Sequence, residues 1–336
     1  MFPPDTSPDI HRRLSMIMTQ VLRDSGVASP ENKLLQVGYY ALSHSGKMLR
    51  GRLLLEACRA VSGSAERALC AATALEYLHL GTLIHDDIID GDELRRGQAA
   101  VWLQYDRDLA LLSGDLCYFI AFQTLARDLK QLQLSQSARV LHIFSTACID
   151  LCFGQTLEEK LVGTCSARYE DYLEVVRLKT SRLFRAALEI GTLLGGGSEE
   201  QLLALGQFAE HLGIAFQIID DLLPFTGDNE TLGKPVTSDI KNRRLTLPML
   251  YAFAAADEAE RQIFQAVFEQ GRFEGRLDEA YRALHCILEH TGALEKSEQE
   301  ALSHYQQAMP LLQALPPGVG RDHLTRMASQ LVQRRS

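Results

Sequence analysis

Asp86, Asp87 and Asp90 close the segment His79-Leu80-Gly81-Thr82-Leu83-Ile84-His85-Asp86-Asp87-Ile88-Ile89-Asp90. On a helix, Asp86 and Asp90 are i and i+4, so their carboxylates share one face. Like charges at that spacing repel, and here they interrupt an otherwise apolar helix. The arrangement becomes favourable when divalent cations lie between the carboxylates. Ligand sets made only of oxygen suit Mg²⁺, which keeps several waters and commonly shares its site with phosphates. Taken alone, the segment reads equally well as a solvated helix end. A second pair shifts that balance. Asp220-Asp221 follows the apolar run Ile214-Ala215-Phe216-Gln217-Ile218-Ile219, again at the C-terminal end of a long helix. Carboxylates there oppose the negative end of the helix dipole. Two such placements point to cations that compensate both. If the helices pack side by side, the acidic patches face each other across a cavity.

Basic residues must then hold the anion that the cations bridge. Arg95-Arg96-Gly97 follows the first patch, and Lys47 and Arg50 lie in Gly46-Lys47-Met48-Leu49-Arg50. Lys179 opens Lys179-Thr180-Ser181, Lys234 sits in Gly233-Lys234-Pro235, and Arg244 precedes Leu245-Thr246-Leu247-Pro248. Any one of these is an ordinary surface charge. Two acidic patches with several cations and little other polar chemistry fit metal-bridged diphosphates.

The elements that position these groups read as helices. Apolar residues recur with a helical period, and no strand-like alternation persists over a useful length. Of ten prolines, Pro3, Pro4 and Pro8 lie at the start, and none occurs between Pro30 and Pro224. So long a stretch without the strongest helix breaker predicts stacked long helices. Turn signals fall at Ser62-Gly63-Ser64, from Gly91 to Gly97, and at Gly195-Gly196-Gly197. Ser198 followed by Glu199 and Glu200 predicts an N-cap with an acidic first turn, and a helix running to about Leu223. No linker divides the chain and no fixed-period repeat appears. The expected organisation is one domain over residues 9–333, with tails at 1–8 and 334–336.

The 336 residues are 46% hydrophobic and 23% charged, with a formal net charge of −9, so the chain is globular. An acidic balance argues against nucleic-acid partners. No run of roughly 18 uninterrupted apolar residues occurs, so no transmembrane segment is expected. Met1 to Ile10 has neither the basic region nor the apolar core of a signal peptide. Seven cysteines without a C-x-x-C pair read as free thiols in a reducing cytosol, and the expected location is cytoplasmic.

With these residues in place, the sequence resembles the trans-type polyprenyl (isoprenyl) diphosphate synthases. It is closest in pattern to the geranylgeranyl and long-chain polyprenyl members. Gly46-Lys47 with Arg50 meets one family pattern. Asp86-Asp87-Ile88-Ile89-Asp90, followed by Arg95-Arg96-Gly97, meets the first aspartate-rich motif. Gly114-Asp115, Gly154-Gln155, Lys179-Thr180 and Phe216-Gln217 with Asp220-Asp221 follow in order, then Gly233-Lys234, Asp239 and Thr246-Leu247-Pro248. The resemblance runs from about Gln36 to Pro248 and more weakly beyond. It implies a single-domain all-α isoprenoid synthase fold, about a dozen helices around a central cavity, usually as a homodimer.

The resemblance also implies roles. Asp86, Asp90 and Asp220 bind Mg²⁺, three ions per site, with Asp87 and Asp221 in support. Arg95, Lys179 and Lys234 grip an allylic diphosphate, and Arg244 is a further substrate-binding residue. Lys47, Arg50, His79 and Arg96 hold isopentenyl diphosphate. Thr180 and Gln217 sit by the reacting carbons, so Asp86, Asp220, Lys179, Thr180 and Gln217 make up the catalytic set. His85 is expected to be structural.

The sequence departs from the family pattern in places. Pro224 stands where a third aspartate of the second motif is usual, and Pro224 is expected to end or kink its helix. Asp228 is a possible partial substitute. Ser45 replaces a common Gly, and Arg244 a common Lys. Product length in the family follows from bulk below the first motif. Gly81 and Thr82 are small, Leu78 and Tyr77 lie a turn away, and Tyr118, Phe119 or Phe153 could line the opposite wall. An open floor of this kind predicts a product of C20 or longer, the long-chain class leading. A terpene cyclase and a non-catalytic synthase subunit remain as alternatives.

Overall fold

The computed structural model describes residues 8–25, 32–130, 132–227, 237–272 and 275–333. Lys234 and Asp228, and the expected tails apart from Pro8, lie outside these residues. The described residues fall into two compact units made of separated stretches. One is drawn from Met1–Ser145, Leu183–Gly206 and Leu312–Met327, the other from Thr146–Arg182, Gln207–Leu311 and Ala328–Ser336.

The first unit opens with α1 (Pro8–Ser25), which buries Leu14, Met18, Val21 and Leu22, the stripe of an amphipathic helix. The helix α2 (Lys33–Ser43) starts where the Asn32 side chain accepts from the Leu34 N–H at 3.0 Å. Both α3 (Leu49–Ser62) and α4 (Leu69–Asp90) are buried over most of their surface. The end of α4 is set by Gly91, whose φ of 62° supplies the left-handed C-cap. Strands β1 (Leu94–Arg95) and β2 (Gln98–Ala99) then pair antiparallel. Their turn uses Arg96 and Gly97 at φ 54° and 76°, which suits a two-residue hairpin. After α5 (Val101–Gln104), α6 (Arg107–Leu129) is capped by Asp106, which accepts from the Leu109 N–H at 2.7 Å. Helices α4 and α6 lie against each other, and two glycines permit the close approach. A Cβ on Gly81 would sit 3.0 Å from the Gly114 carbonyl oxygen.

The helix α7 (Leu134–Leu161) contributes to both units. The second unit continues with α8 (Tyr169–Val176), which enters a π-helical turn at Arg177–Ser181, and α9 (Arg182–Leu194) belongs from Leu183 onward to the first unit. The helix α10 (Glu199–Thr226) begins as expected at Ser198. Ser198 Oγ accepts from the Gln201 N–H at 3.2 Å, and Gln201 Oε1 accepts from the Ser198 N–H at 3.0 Å, a reciprocal capping pair. Pro224 neither ends α10 at Leu223 nor stops it at once. The helix closes at Thr226, where Gly227 N–H reaches the Leu223 carbonyl at 2.9 Å. A proline in a last turn forfeits a single backbone bond. Tyr281 Oη donates to the Pro224 carbonyl at 2.8 Å, and His285 Nε2 donates to that of Phe225 at 3.2 Å, so outside partners serve the terminal carbonyls.

The remaining α-helices are α11 (Ser238–Lys241), α12 (Leu247–Ala255), α13 (Glu258–Phe264), α14 (Leu277–His290), α15 (Ala293–Ala308) and α16 (Val319–Val332), with a second π turn at Gln265–Glu269 after α13. One core of the second unit gathers Phe225, Met249, Phe264, Phe268 and Leu284, and another Tyr172, Ile214, Ile218, Leu222 and Leu250. All seven cysteines are free thiols. Contrary to the transmembrane expectation, α6, α7 and α10 are each long and apolar enough to cross a membrane by length and composition. Scattered polar residues hide them from a search for unbroken apolar runs. In α10 the apolar residues serve the interior, with Phe208, Leu212, Ile214 and Ile218 fully buried.

Candidate active site

In the first unit, α4 delivers Asp86 and Asp90, both half-buried, in its last two turns. Asp87 points elsewhere and is only 3% exposed. Arg95 grips it from β1, donating from Nε to Oδ1 at 2.9 Å and from Nη2 to the same oxygen. Burial lowers the affinity of Arg95 for its proton, but the Asp87 carboxylate outweighs that, and its net shift is upward. The hairpin is thus tied to the end of α4.

A basic group gathers around the loop between α2 and α3. Arg50 Nη1 donates to His79 Nε2 at 2.8 Å, and the Arg50 guanidinium lies over the Phe184 ring at 5.5 Å. Desolvation, then Arg50, Arg96 and Arg95, hold His79 well below its usual titration range, so it accepts as a neutral imidazole. Arg96 donates from Nη1 to the His44 carbonyl. Its guanidinium occupies the space a side chain at Gly46 would fill, and Gly46 has φ 77°. Lys47 follows, exposed, one residue before Met48 in left-handed conformation opens α3. Glu76, which sequence reasoning passed over, lies buried behind this group and accepts from the Gly51 N–H at 2.6 Å. Its signal was a lone carboxylate inside the apolar stretch Ala74-Leu75-Glu76-Tyr77-Leu78.

In the second unit the π turn carries Lys179 and Thr180. Turns of this kind often mark functional positions. Two glycines admit it. A Cβ on Gly154 of α7 would sit 3.0 Å from the Lys179 nitrogen, and one on Gly213 of α10 would sit 2.6 Å from Ser181 Oγ. Thr180 Oγ1 donates to Gln217 Oε1 at 2.7 Å, Gln217 Nε2 donates to Asp221 Oδ1 at 2.9 Å, and Tyr172 Oη donates to Asp221 Oδ2 at 2.8 Å. This chain fixes both faces of the Asp221 carboxyl, which burial pushes up to about 7. Asp220, beside it, is half-buried. Lys179 Nζ pairs with Glu158 Oε2 at 2.6 Å, and Arg244 Nη2 reaches Glu158 at 3.3 Å and Glu159 at 3.4 Å. Tyr172, Glu158 and Glu159 were not singled out from the sequence. The acidic pair ending the apolar α7 was the available clue.

Among the described residues, no three His, Cys, Asp or Glu side chains converge into a metal cage. Carboxylates in pairs on helix ends leave most positions of an octahedral cation to water and to a ligand's phosphate oxygens, which fits Mg²⁺. Asp86 with Asp90, and Asp220, are the residues able to hold such an ion in each unit.

The polyprenyl synthetase family model matches residues 31–284. The short chain isoprenyl diphosphate synthase of Methanothermobacter thermautotrophicus is 32% identical over 326 residues, covering 97% of this chain and 98% of the relative. The octaprenyl diphosphate synthase of Escherichia coli is 33% identical over 299 residues, 89% of each protein. The crystal structure of geranylgeranyl pyrophosphate synthetase from Pyrococcus horikoshii superimposes with a TM-score of 0.86 at 30% identity, covering 96% of both chains.

Proposed function

The chain belongs to the polyprenyl synthetase family, with that family's all-α isoprenoid synthase fold, and from that premise we propose a trans-polyprenyl diphosphate synthase that condenses isopentenyl diphosphate with an allylic diphosphate to a product of C20 or longer. The observation that carries this reading is the presence of two cationic sets. Arg50 and Arg96, with the neutral His79 as the acceptor for Arg50, lie in one unit, and Lys179 and Arg244 lie together in the other. A cyclase working on a single diphosphate has no use for the first set.

Magnesium, three ions held by Asp86, Asp90 and Asp220, supplies charge neutralisation to the departing diphosphate when bound. Asp87 and Asp221 orient the neighbouring ligands through Arg95, Gln217 and Tyr172. Lys179, Arg244 and Lys234 bind the allylic diphosphate, with Lys179 and Arg244 exchanging Glu158 for phosphate oxygens. Arg95 is a further ligand of the allylic diphosphate. Lys47, Arg50, His79 and Arg96 orient isopentenyl diphosphate. Thr180 and Gln217, locked to each other at 2.7 Å, stand by the reacting carbons. Apolar walls exclude water from the allylic cation, and the released diphosphate accepts the proton lost afterwards.

Residues 9–333 form the catalytic domain, which works in the cytoplasm as a homodimer. The apolar Leu112 and Phe119 of α6 are 55% and 71% exposed in one protomer, a face that a second copy would cover.

The test is a product assay with purified protein, Mg²⁺, isopentenyl diphosphate and C5, C10, C15 or C20 primers. A ladder reaching C20 or beyond supports the synthase. A hydrocarbon or alcohol formed without isopentenyl diphosphate favours the cyclase reading.

A further inference from the structure

Resting on the allylic-diphosphate role given to Arg244 above, we propose that Arg243 is a positioning residue, which sets Arg244 against its acceptors on α7 and so presents it to the diphosphate. Arg243 has φ 54°, in the left-handed region that a long side chain rarely adopts. Its place in the chain explains the angle. Helix α11 ends in a Schellman turn, in which the Arg244 N–H donates to the Asp239 carbonyl at 2.9 Å and the Arg243 N–H to the Ile240 carbonyl at 3.0 Å. Glycine is the usual residue at the left-handed position of such a turn, because it has no Cβ to clash. An arginine there must be held by its surroundings, and backbone held in that way points to function.

The holding contacts come from two other segments. The Arg243 guanidinium forks onto the end of the π turn at Gln265–Glu269, with Nε donating to the Phe268 carbonyl at 2.6 Å and Nη2 to the Glu269 carbonyl at 2.7 Å. Carbonyls at a helix end have no partner within the helix and need one from outside. The Arg243 carbonyl in turn accepts from the Gly163 N–H at 2.9 Å, two residues past the end of α7. Gly163 has φ 72°, and a Cβ on it would sit 2.7 Å from Arg243 Nη2. Glu269 Oε1 accepts from the Cys165 N–H at 3.2 Å, which ties the same loop to the same π turn. Arg243 thus joins the turn out of α11, the π turn after α13 and the loop out of α7. The first and last of these carry groups of the site. Arg244 follows Arg243 directly, and Glu158 and Glu159, which it reaches at 3.3 and 3.4 Å, lie in the last turn of α7. Lys179 shares Glu158 at 2.6 Å. The tether therefore fixes how far Arg244 stands from the carboxylates that it exchanges for phosphate oxygens.

The experiment uses Arg243→Gly, which keeps the left-handed backbone and removes the tether. Steady-state kinetics should show KM for the allylic primer raised roughly tenfold, the effect of losing one charged hydrogen bond, with KM for isopentenyl diphosphate within about twofold of wild type. Arg243→Lys keeps one donor, so its allylic KM should lie between the two, and it stands in for the glycine variant if that one does not fold. A double-mutant cycle reads whether Arg243 acts through Arg244. In an Arg244→Gln background, Arg243→Gly should change the allylic KM by less than about twofold. An unchanged allylic KM in the folded variant overturns the proposal. So does an equal rise in both KM values, which a generally loosened fold would give, and so do additive effects in the cycle. The same cycle read by equilibrium binding of inorganic diphosphate with Mg²⁺ needs no turnover. A wild type that makes no prenyl product sinks the synthase reading, and the binding cycle still decides the role of Arg243. Equal diphosphate binding by wild type and Arg243→Gly overturns that role, and a wild type that binds no diphosphate overturns both.

Discussion

Replacing Gly46 by alanine separates backbone strain from loss of a substrate contact, because a matched control exists in the same protein. Gly46 and Gly63 have φ of 77° and 76°. A left-handed alanine costs about 1–2 kcal/mol at either position. In domains of 150–250 residues each kilocalorie lowers Tm by about 2–4 °C, and less in a larger one, so both variants should melt a few degrees early. The two sites then diverge. Nothing lies within 4 Å of a Cβ at Gly63, whereas a Cβ at Gly46 falls on the Arg96 guanidinium. Gly46→Ala must therefore push Arg96 off the His44 carbonyl and out of the basic group. Arg96 is exposed, so the lower figure for a charged hydrogen bond applies, about 1.5 kcal/mol. That corresponds to roughly tenfold in affinity. Steady-state kinetics with both substrates varied should show KM for isopentenyl diphosphate rising about tenfold in Gly46→Ala and staying within twofold in Gly63→Ala. KM for the allylic primer should hold in both. Equal isopentenyl KM values in two proteins with equally lowered Tm would refute the placement of Arg96 in that site.

Tyr172→Phe strips one donor from the buried Asp221 carboxyl, a loss of about 1.5–3 kcal/mol. Its kcat should fall roughly ten- to hundredfold with a higher Mg²⁺ requirement, and an unchanged Mg²⁺ titration would remove Tyr172 from the site. Thr180→Val breaks the 2.7 Å bond to Gln217 and should lower kcat while leaving both KM values near wild type, measured in the same assay. His211 Nδ1 and His304 Nδ1 lie 3.0 Å apart, faced by Glu210, Glu300 and Arg177, and burial lowers both titration points. The unfolded chain then binds more protons in acid, so this pair's stability is lost as pH falls through about 6.5, and His304→Gln should flatten the Tm change between about pH 5 and 7.5. Chelation should abolish turnover, yet Mg²⁺ alone should barely move Tm, whereas Mg²⁺ with inorganic diphosphate should raise it. A large shift with the metal alone would indicate a preformed cage.

What the sequence disclosed was local. The acidic end of α4, its stop at Gly91, the Arg96-Gly97 turn and the Ser198 cap each depend on residues a few positions apart, and such patterns survive in one dimension. What it concealed depends on partners brought together by folding. The π turn at Arg177–Ser181 is permitted by Gly154 and Gly213, which come from two different helices. Tyr172 looks like any half-amphipathic tyrosine until Asp221 is placed against it. Pro224 reads as a terminator because its rescue by Tyr281 and His285 comes from far along the chain. Gly81 reads as empty space because the ring that fills it belongs to α6.

The neutral His79 beneath Arg50 has a bearing on how the enzyme tolerates acidification. Neither member of that pair gains or loses a proton across the range in which an ordinary histidine titrates, since Arg50 stays protonated and His79 stays uncharged. The charge of this pair is therefore constant across that range. The pair itself adds no pH dependence of its own to KM for isopentenyl diphosphate in that range.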